Sequence, residues 1–239
     1  MKRKPIKLAV FDIDGTVFRS SLLIELINGL VEYNVFPGIA KKELEKEYMA
    51  WLDRKGSYED YLAKVIRIHL KYIKGCRKAS VEEVAKEIVR RMKNRVYRYT
   101  RDLLKSLKDE GFRLVTISGS PAYIVSKFSR TLGFDAYFGS EYKITNGTFE
   151  DKVVNPEVFA EKDKVLLRYA AQRQLAVDWR RSIAVGDTES DIAMLKLVGH
   201  PLAFNPNMHL AAYAKKHNWE IVVERKDVIY DLGKFKFKK

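Results

Sequence analysis

The stretch AVFDIDGTVF, residues 9–18, ends an apolar run in two aspartates, Asp12 and Asp14, followed at once by Gly15 and Thr16. Two ionised carboxylates one residue apart repel each other, and carboxylates are rarely buried without a partner. A chain that sets both at the tip of a hydrophobic strand has a use for them. Two further apolar runs end in comparable polar groups. FRLVTIS (112–118) leads into Ser118-Gly119-Ser120, and RSIAVGD (181–187) into Gly186-Asp187, with Asp191 four residues on. Each alone has a local explanation: Asp-Gly is a common turn, Ser-Gly-Ser a common loop, and Asp187 or Asp191 can cap a helix. Acidic positions and a hydroxyl converging on one edge are a different matter. Several unpaired carboxylates at one place call for a cation, and an all-oxygen donor set suits Mg2+.

The elements that must bring these groups together are legible from periodicity. Short apolar runs alternating with amphipathic stretches predict βα units, a doubly wound, Rossmann-like parallel sheet, and a site beyond the carboxyl ends of its strands. Strands are predicted at 6–12, 112–118, 135–138, 181–187 and 200–204, with a weaker one at 220–224. Helices are predicted around 99–110, 121–132, 163–175, 189–198 and 207–217. Asn146-Gly147, inside EYKITNGTFE, is the signature of a tight hairpin. Residues 19–97 read differently. Four helical patterns are separated there by Pro37-Gly38, Gly56-Ser57 and Gly75 to Ser80, and Ser80 with Glu83 matches a capping box. The expected organisation is an α/β core of residues 1–18 and 98–239 with a helical cap, 19–97, inserted after the first strand.

Composition bounds the rest. The chain has 239 residues, 46% of them hydrophobic, enough for a large core. Its single cysteine, Cys76, excludes an internal disulfide and a cysteine-based zinc cluster, and fits a reducing interior. The basic start Met1-Lys2-Arg3-Lys4-Pro5 resembles a signal peptide's first part, but the apolar stretch behind it meets Asp12 too soon. No window approaches a membrane span, so a cytoplasmic protein is expected. The net charge of +14 is compatible with anionic partners or with solvated helix faces. The densest basic run is VRRMKNRVYRYTR (89–101), and KFKFKK at the C-terminus reads as a frayed tail. No zinc-finger spacing, RNA-binding aromatic signature or basic zipper is present, so no specific nucleic-acid partner is expected. His69, His200, His209 and His217 have no ligand spacing, and Trp51, Tyr58 and Tyr61 in the insert read as helix packing or as a pocket wall.

FDIDGT, ISGS, a lysine ahead of a helix, and GDTESD resemble, in order and spacing, the four motifs of the haloacid dehalogenase superfamily. More narrowly, the chain is similar to its phosphoserine-phosphatase-like subfamily, whose helical cap follows the first motif. The resemblance implies a Mg2+-dependent phosphatase acting on a small phosphorylated substrate. Asp12 would be the nucleophile that forms an aspartyl-phosphate, and Asp14 the general acid and base. Mg2+ would be held by Asp12, Asp187 and the main-chain carbonyl of Asp14, with Asp191 steadying it. Ser118 and the Gly119 N–H would receive phosphoryl oxygens. Lys164 takes the family's phosphate-neutralising lysine position, with Lys162 two residues away. Phosphoserine phosphatases themselves resemble DFDST and carry a glutamate seven residues after the second aspartate; this chain has Gly15 and Ser21 at those places, with Glu25 one turn further on. The subfamily also includes phosphatases of other small phosphomonoesters and of lysophospholipids, and Leu22, Leu23 and Leu26 suit a less polar ligand. A phosphomutase with the same aspartate pair, and a non-catalytic basic nucleic-acid or membrane-surface binder, are the alternatives.

Overall fold

The computed structural model describes residues 5–232. The basic start and the KFKFKK tail therefore lie, apart from Pro5, outside the described residues. In chain order the elements are β1 (Leu8–Phe11), α1 (Leu22–Glu32), α2 (Gly38–Leu52), α3 (Tyr58–Ile73), α4 (Lys78–Met92), α5 (Arg98–Asp109), β2 (Arg113–Pro121), α6 (Ala122–Thr131), β3 (Ala136–Ser140), β4 (Tyr142–Thr145) and β5 (Thr148–Val153). They continue as α7 (Glu157–Ala160), α8 (Lys162–Gln172), β6 (Ile183–Gly186), α9 (Ile192–Leu195), β7 (His200–Phe204), α10 (Met208–Lys216), β8 (Glu220–Arg225) and β9 (Val228–Asp231).

Seven strands form one sheet in the order β3-β2-β1-β6-β7-β8-β9, parallel except for the last. The central strand β1 is buried along its whole length, as a parallel strand covered by helices on both faces must be. Its side chains alternate between two cores. Ala9 and Phe11 face the cluster that extends into the helical insert, while Leu8 and Val10 face α8, α9 and α10. Phe11 is in register with Thr116 of β2 and Val185 of β6. That alignment carries Asp12, Ser118 and Asp187 past the same edge of the sheet, two residues beyond their neighbours or fewer.

Helices α1 to α4 stand between β1 and β2. Leu22, Leu23, Leu26, Ile27 and Leu30 bury one stripe of α1, each such side chain contributing about 1.5–3 kcal/mol. The Asn146-Gly147 hairpin forms as predicted, both residues at positive φ, and joins β4 to β5. It docks under the helices: Gly75 N–H donates to Phe149 O, and Lys78 N–H to Gly147 O. This docking corrects one expectation. With its first turn held by the hairpin, α4 starts at Lys78, so Ser80 lies inside the helix and makes no cap; reciprocal capping boxes form instead at Ser57–Asp60, opening α3, and at Thr188–Asp191. The predicted helix over 189–198 is shorter too, a 3-10 turn (Glu189–Asp191) followed by α9, and the exposed edge strand β9 had no apolar alternation to announce it.

His69 is a core residue. It is fully buried on α3, with Nε2 3.1 Å from the Tyr123 hydroxyl of α6 and its ring near Phe36 and Tyr142. Burial pushes its pKa down to about 3. The unfolded chain therefore takes up the proton first as pH falls below about 6.5, and stability is lost from there down to the folded pKa, by on the order of 1.4 kcal/mol per pH unit. Urea unfolding at pH 7 and pH 5 is expected to show the parent losing about 2 kcal/mol more than His69→Gln over that interval. Equal pH slopes in the two proteins would refute a neutral buried imidazole.

Candidate active site

At the carboxyl edge of β1 the chain turns sharply. Gly15 has φ +83°, and a Cβ there would lie 2.1 Å from an Asp187 carboxylate oxygen, so this turn requires glycine both for its backbone and for the approach of the next strand's loop. Thr16 Oγ1 donates to Asp187 Oδ1 at 3.2 Å, tying the two loops together. Asp191 braces the same loop: its Oδ2 accepts from the N–H groups of Asp187 and Thr188 at 3.0 and 3.1 Å.

Asp12, Asp187 and Asp191 are all buried, and each offers a carboxylate oxygen within 4.8 Å of the others'. One ammonium meets them. Lys162 Nζ donates to Asp12 Oδ1 at 2.7 Å and to Asp191 Oδ1 at 2.6 Å. Burial opposes that charge, but the two carboxylates more than restore it and Lys162 titrates well above an ordinary lysine. The acids stay under-compensated. Burial pushes Asp12 up to about 8 against the pull of Lys162, and burial together with Asp12 and Asp191 raises Asp187 well above the carboxylate range. Three buried carboxylates facing one ammonium are an incomplete charge set, and a hard divalent cation with oxygen ligands completes it. The donor set fits such an ion.

Asp14 is held apart from this cluster. Its Oδ2 accepts from Ser118 Oγ at 2.6 Å and Ser120 Oγ at 2.7 Å, and its Oδ1 accepts from the Leu22 N–H at 2.5 Å. Burial raises its pKa, and those three donors act against the rise. The Leu23 N–H donates in turn to Ser120 Oγ. The first N–H groups of α1, orphaned by helix geometry, are thus satisfied by the aspartate and serine of the core, while Ser21 makes no side-chain cap.

The structure brings Asp12, Asp14, Gly119 and Asp187 to one cavity of about 240 Å³, with Asp191 behind its wall. Ser118 is fully buried beneath Asp14 and receives the Ser120 N–H, so Gly119 and Ser120 form the cavity surface there. The lysine expectation is corrected. Lys164 points to solvent and pairs with Glu161, whereas Lys162 enters the site. Residues two apart on a helix lie about 200° apart around its axis. Val165, Leu166, Tyr169 and Ala170 mark the buried face of α8, and Lys162 stands three and four residues before the first two. That spacing was the available signal. Also missed were Ser120, Thr188 and Phe159, whose ring packs where a Gly119 Cβ would be.

The cavity roof comes from the insert. Tyr58 and Glu59 open α3 above Asp187, and with Asp187 and Thr188 they also border a second chamber of about 530 Å³ that reaches Gly15, Trp51, Arg54 and Met208. Trp51 stacks on buried Tyr61, so of the three aromatics singled out in sequence one is packing and two are wall. Glu25 is held by Ser20 and lines neither chamber. The basic run 89–101 is largely paired outside: Arg90 and Arg91 with Glu87, Arg91 also with Glu32, Arg101 with Asp102. None of its basic side chains borders either chamber.

A model of the haloacid dehalogenase-like hydrolase family matches residues 9–196, spanning both aspartate loops and Lys162. The chain belongs to that family. It falls on the phosphoserine-phosphatase-like side. It is 25% identical over 229 residues to the phosphoserine phosphatase SerB1 of Mycobacterium tuberculosis, covering 92% of this chain and 72% of the relative. It is 26% identical over 226 residues to the phosphoserine phosphatase of Methanocaldococcus jannaschii, covering 94% and 95%. Among solved structures, a phospho-aspartyl intermediate analogue of phosphoserine phosphatase superposes with a TM-score of 0.63 at 23% identity, over 94% of this chain and 96% of that one. Among the described residues no helix is long and apolar enough to cross a membrane.

Proposed function

We propose that this phosphoric monoester hydrolase cleaves a small phosphomonoester through an aspartyl-phosphate on Asp12, with Mg2+ as its metal. The observation that carries the reading is the cluster of buried carboxylates around a single ammonium, open to a roofed cavity. A carboxylate oxygen of Asp12 attacks phosphorus, the bond to the leaving oxygen breaks, and Asp14 gives that oxygen its proton. Water then attacks the phosphorus of the acyl phosphate, passes a proton to Asp14, and Asp12 is released. Asp12, Asp187 and the main-chain carbonyl of Asp14 would hold Mg2+, which when bound neutralises phosphoryl charge. Lys162 supplies a fixed positive charge to the attacking group and the Gly119 N–H receives a phosphoryl oxygen; Ser118, expected to receive one too, is fully buried with its hydroxyl on Asp14, and its role becomes orienting that carboxyl. The helical insert, as a lid, keeps bulk water from the acyl phosphate.

Phosphate release from an aryl phosphate tests this. Activity is expected with millimolar Mg2+, to vanish on chelation, and to return when Mg2+ is restored. Unchanged turnover in excess chelator would exclude the metal-assisted route.

A further inference from the structure

We infer that the leaving group of the substrate is an uncharged, apolar alcohol of small size, and that phosphoserine is a poor substrate; this rests on the phosphatase reading above. The inference comes from the walls of the inner cavity. Beyond the acids at its floor, it is bounded by Leu23 of α1, Phe159 of α7, and Tyr58, Leu62, Ala63 and Ile66 of α3. Tyr58, Leu62 and Ile66 are spaced four apart with Ala63 beside Leu62, a stripe next to Tyr61, Val65, Ile68 and His69; Tyr58 and Ile66 pack one side against the core that Tyr61, Val65 and Ile68 fill and turn the other to the cavity. Leu62 and Ile66 are only half-buried, so their apolar surface faces the cavity without any protein side chain to cover it fully.

Charge decides against an amino-acid leaving group. Among the described residues the only basic side chain on the cavity wall is Lys162, and both Asp12 and Asp191 already engage it. An α-carboxylate would enter beside Asp12, Asp14, Asp187 and Glu59 with no second cation on that cavity's wall; Arg54 and His209 line the adjoining chamber instead. Leaving such a group desolvated and unpaired is costly, and a site without its partner discriminates strongly against it. The position seven residues after Asp14 is Ser21, on the cavity wall, and Glu25 is turned away onto Ser20. An alkyl or aryl group, by contrast, finds six apolar or aromatic neighbours. At about 240 Å³ the cavity suits a short group, and a long acyl chain would have to continue into the adjoining chamber along Tyr58 and Glu59.

The test is a kcat/KM series on the Mg2+-loaded full chain with ethyl, butyl, hexyl and phenyl phosphate, phosphoserine and phosphoethanolamine. Each added methylene is expected to raise kcat/KM about three- to fourfold until the cavity is full, with butyl or phenyl phosphate exceeding phosphoserine by about 100-fold. Leu62→Arg, a change at a half-exposed position, should narrow that gap at least tenfold by supplying a cation; Ile66→Ser should flatten the alkyl series without helping phosphoserine. Phosphoserine or phosphoethanolamine as the best substrate, or a flat alkyl series in the parent, overturns this inference and leaves the phosphatase reading standing. If no ester is hydrolysed and acetyl phosphate is also inert, the phosphatase reading falls and takes this one with it.

Discussion

Asp12→Asn is expected to lower turnover by about 10⁴-fold or more while leaving the fold intact. The amide keeps an oxygen to accept the Lys162 hydrogen bond but cannot attack phosphorus. Circular dichroism and phosphate release on the same sample separate the two properties. Stability should move in the opposite direction to activity. Burial and the neighbouring acids raise Asp12 to about 8, so in the metal-free protein its ionised form is disfavoured relative to the unfolded chain. A carboxyl whose folded pKa is raised costs stability above its unfolded pKa, increasingly so until the folded pKa is reached. Asp12→Asn removes that cost. Metal-free Asp12→Asn should therefore be more stable than the parent at pH 8, by an increment that shrinks towards pH 5 at on the order of 1.4 kcal/mol per unit at most. A mutant that is both active and destabilised would reject Asp12 as the nucleophile and as a strained acid alike.

Lys162→Met and Lys164→Ala should differ sharply. Methionine preserves most of the lysine stem's volume but removes the ammonium from between Asp12 and Asp191. Taking one partner out of a buried ion pair leaves uncompensated charge and costs about 3–5 kcal/mol. The expected outcome is a metal-free protein with a clearly lower denaturation midpoint, partly rescued by Mg2+, and kcat/KM reduced about 10²–10³-fold even with metal saturating. Lys164→Ala should leave both activity and unfolding unchanged, because its partner Glu161 is exposed and the pair is screened by solvent. Assays of phosphate release together with denaturant melts, with and without Mg2+, check the contrast. Equal effects of the two substitutions would break the assignment of Lys162 to the site.

Much of this molecule is determined locally and so is readable from the chain. The βα alternation, the parallel sheet and the helical insert follow from hydrophobic period, because a strand buried on both faces and a helix buried on one leave different spacings. Asp12, Gly119 and Asp187 reach one edge because β1, β2 and β6 are parallel neighbours in register, which the polar ends of their apolar runs already implied. Gly15 belongs with them, since the turn after Asp12 demands a positive φ at that residue.

Tertiary structure decided what depends on a helix's phase or on a distant partner. Lys162 and Lys164 are alike in type and nearly alike in position; their spacing from Val165 and Leu166 hints at the inward one, and the docking of α8 through those two residues settles it by placing Lys162 against Asp12 and Asp191. The start of α4 is set by a hairpin some seventy residues later, not by Ser80. Asp14 satisfies the first turn of α1 and takes hydroxyls from Ser118 and Ser120, contacts spanning up to 106 residues of sequence. Above all, the wall facing the acids comes from α3, half a chain away from Asp187. Whether Leu62 and Ile66 line a cavity or pack a core is a matter of which neighbour α3 meets, and side-chain spacing alone cannot name that neighbour.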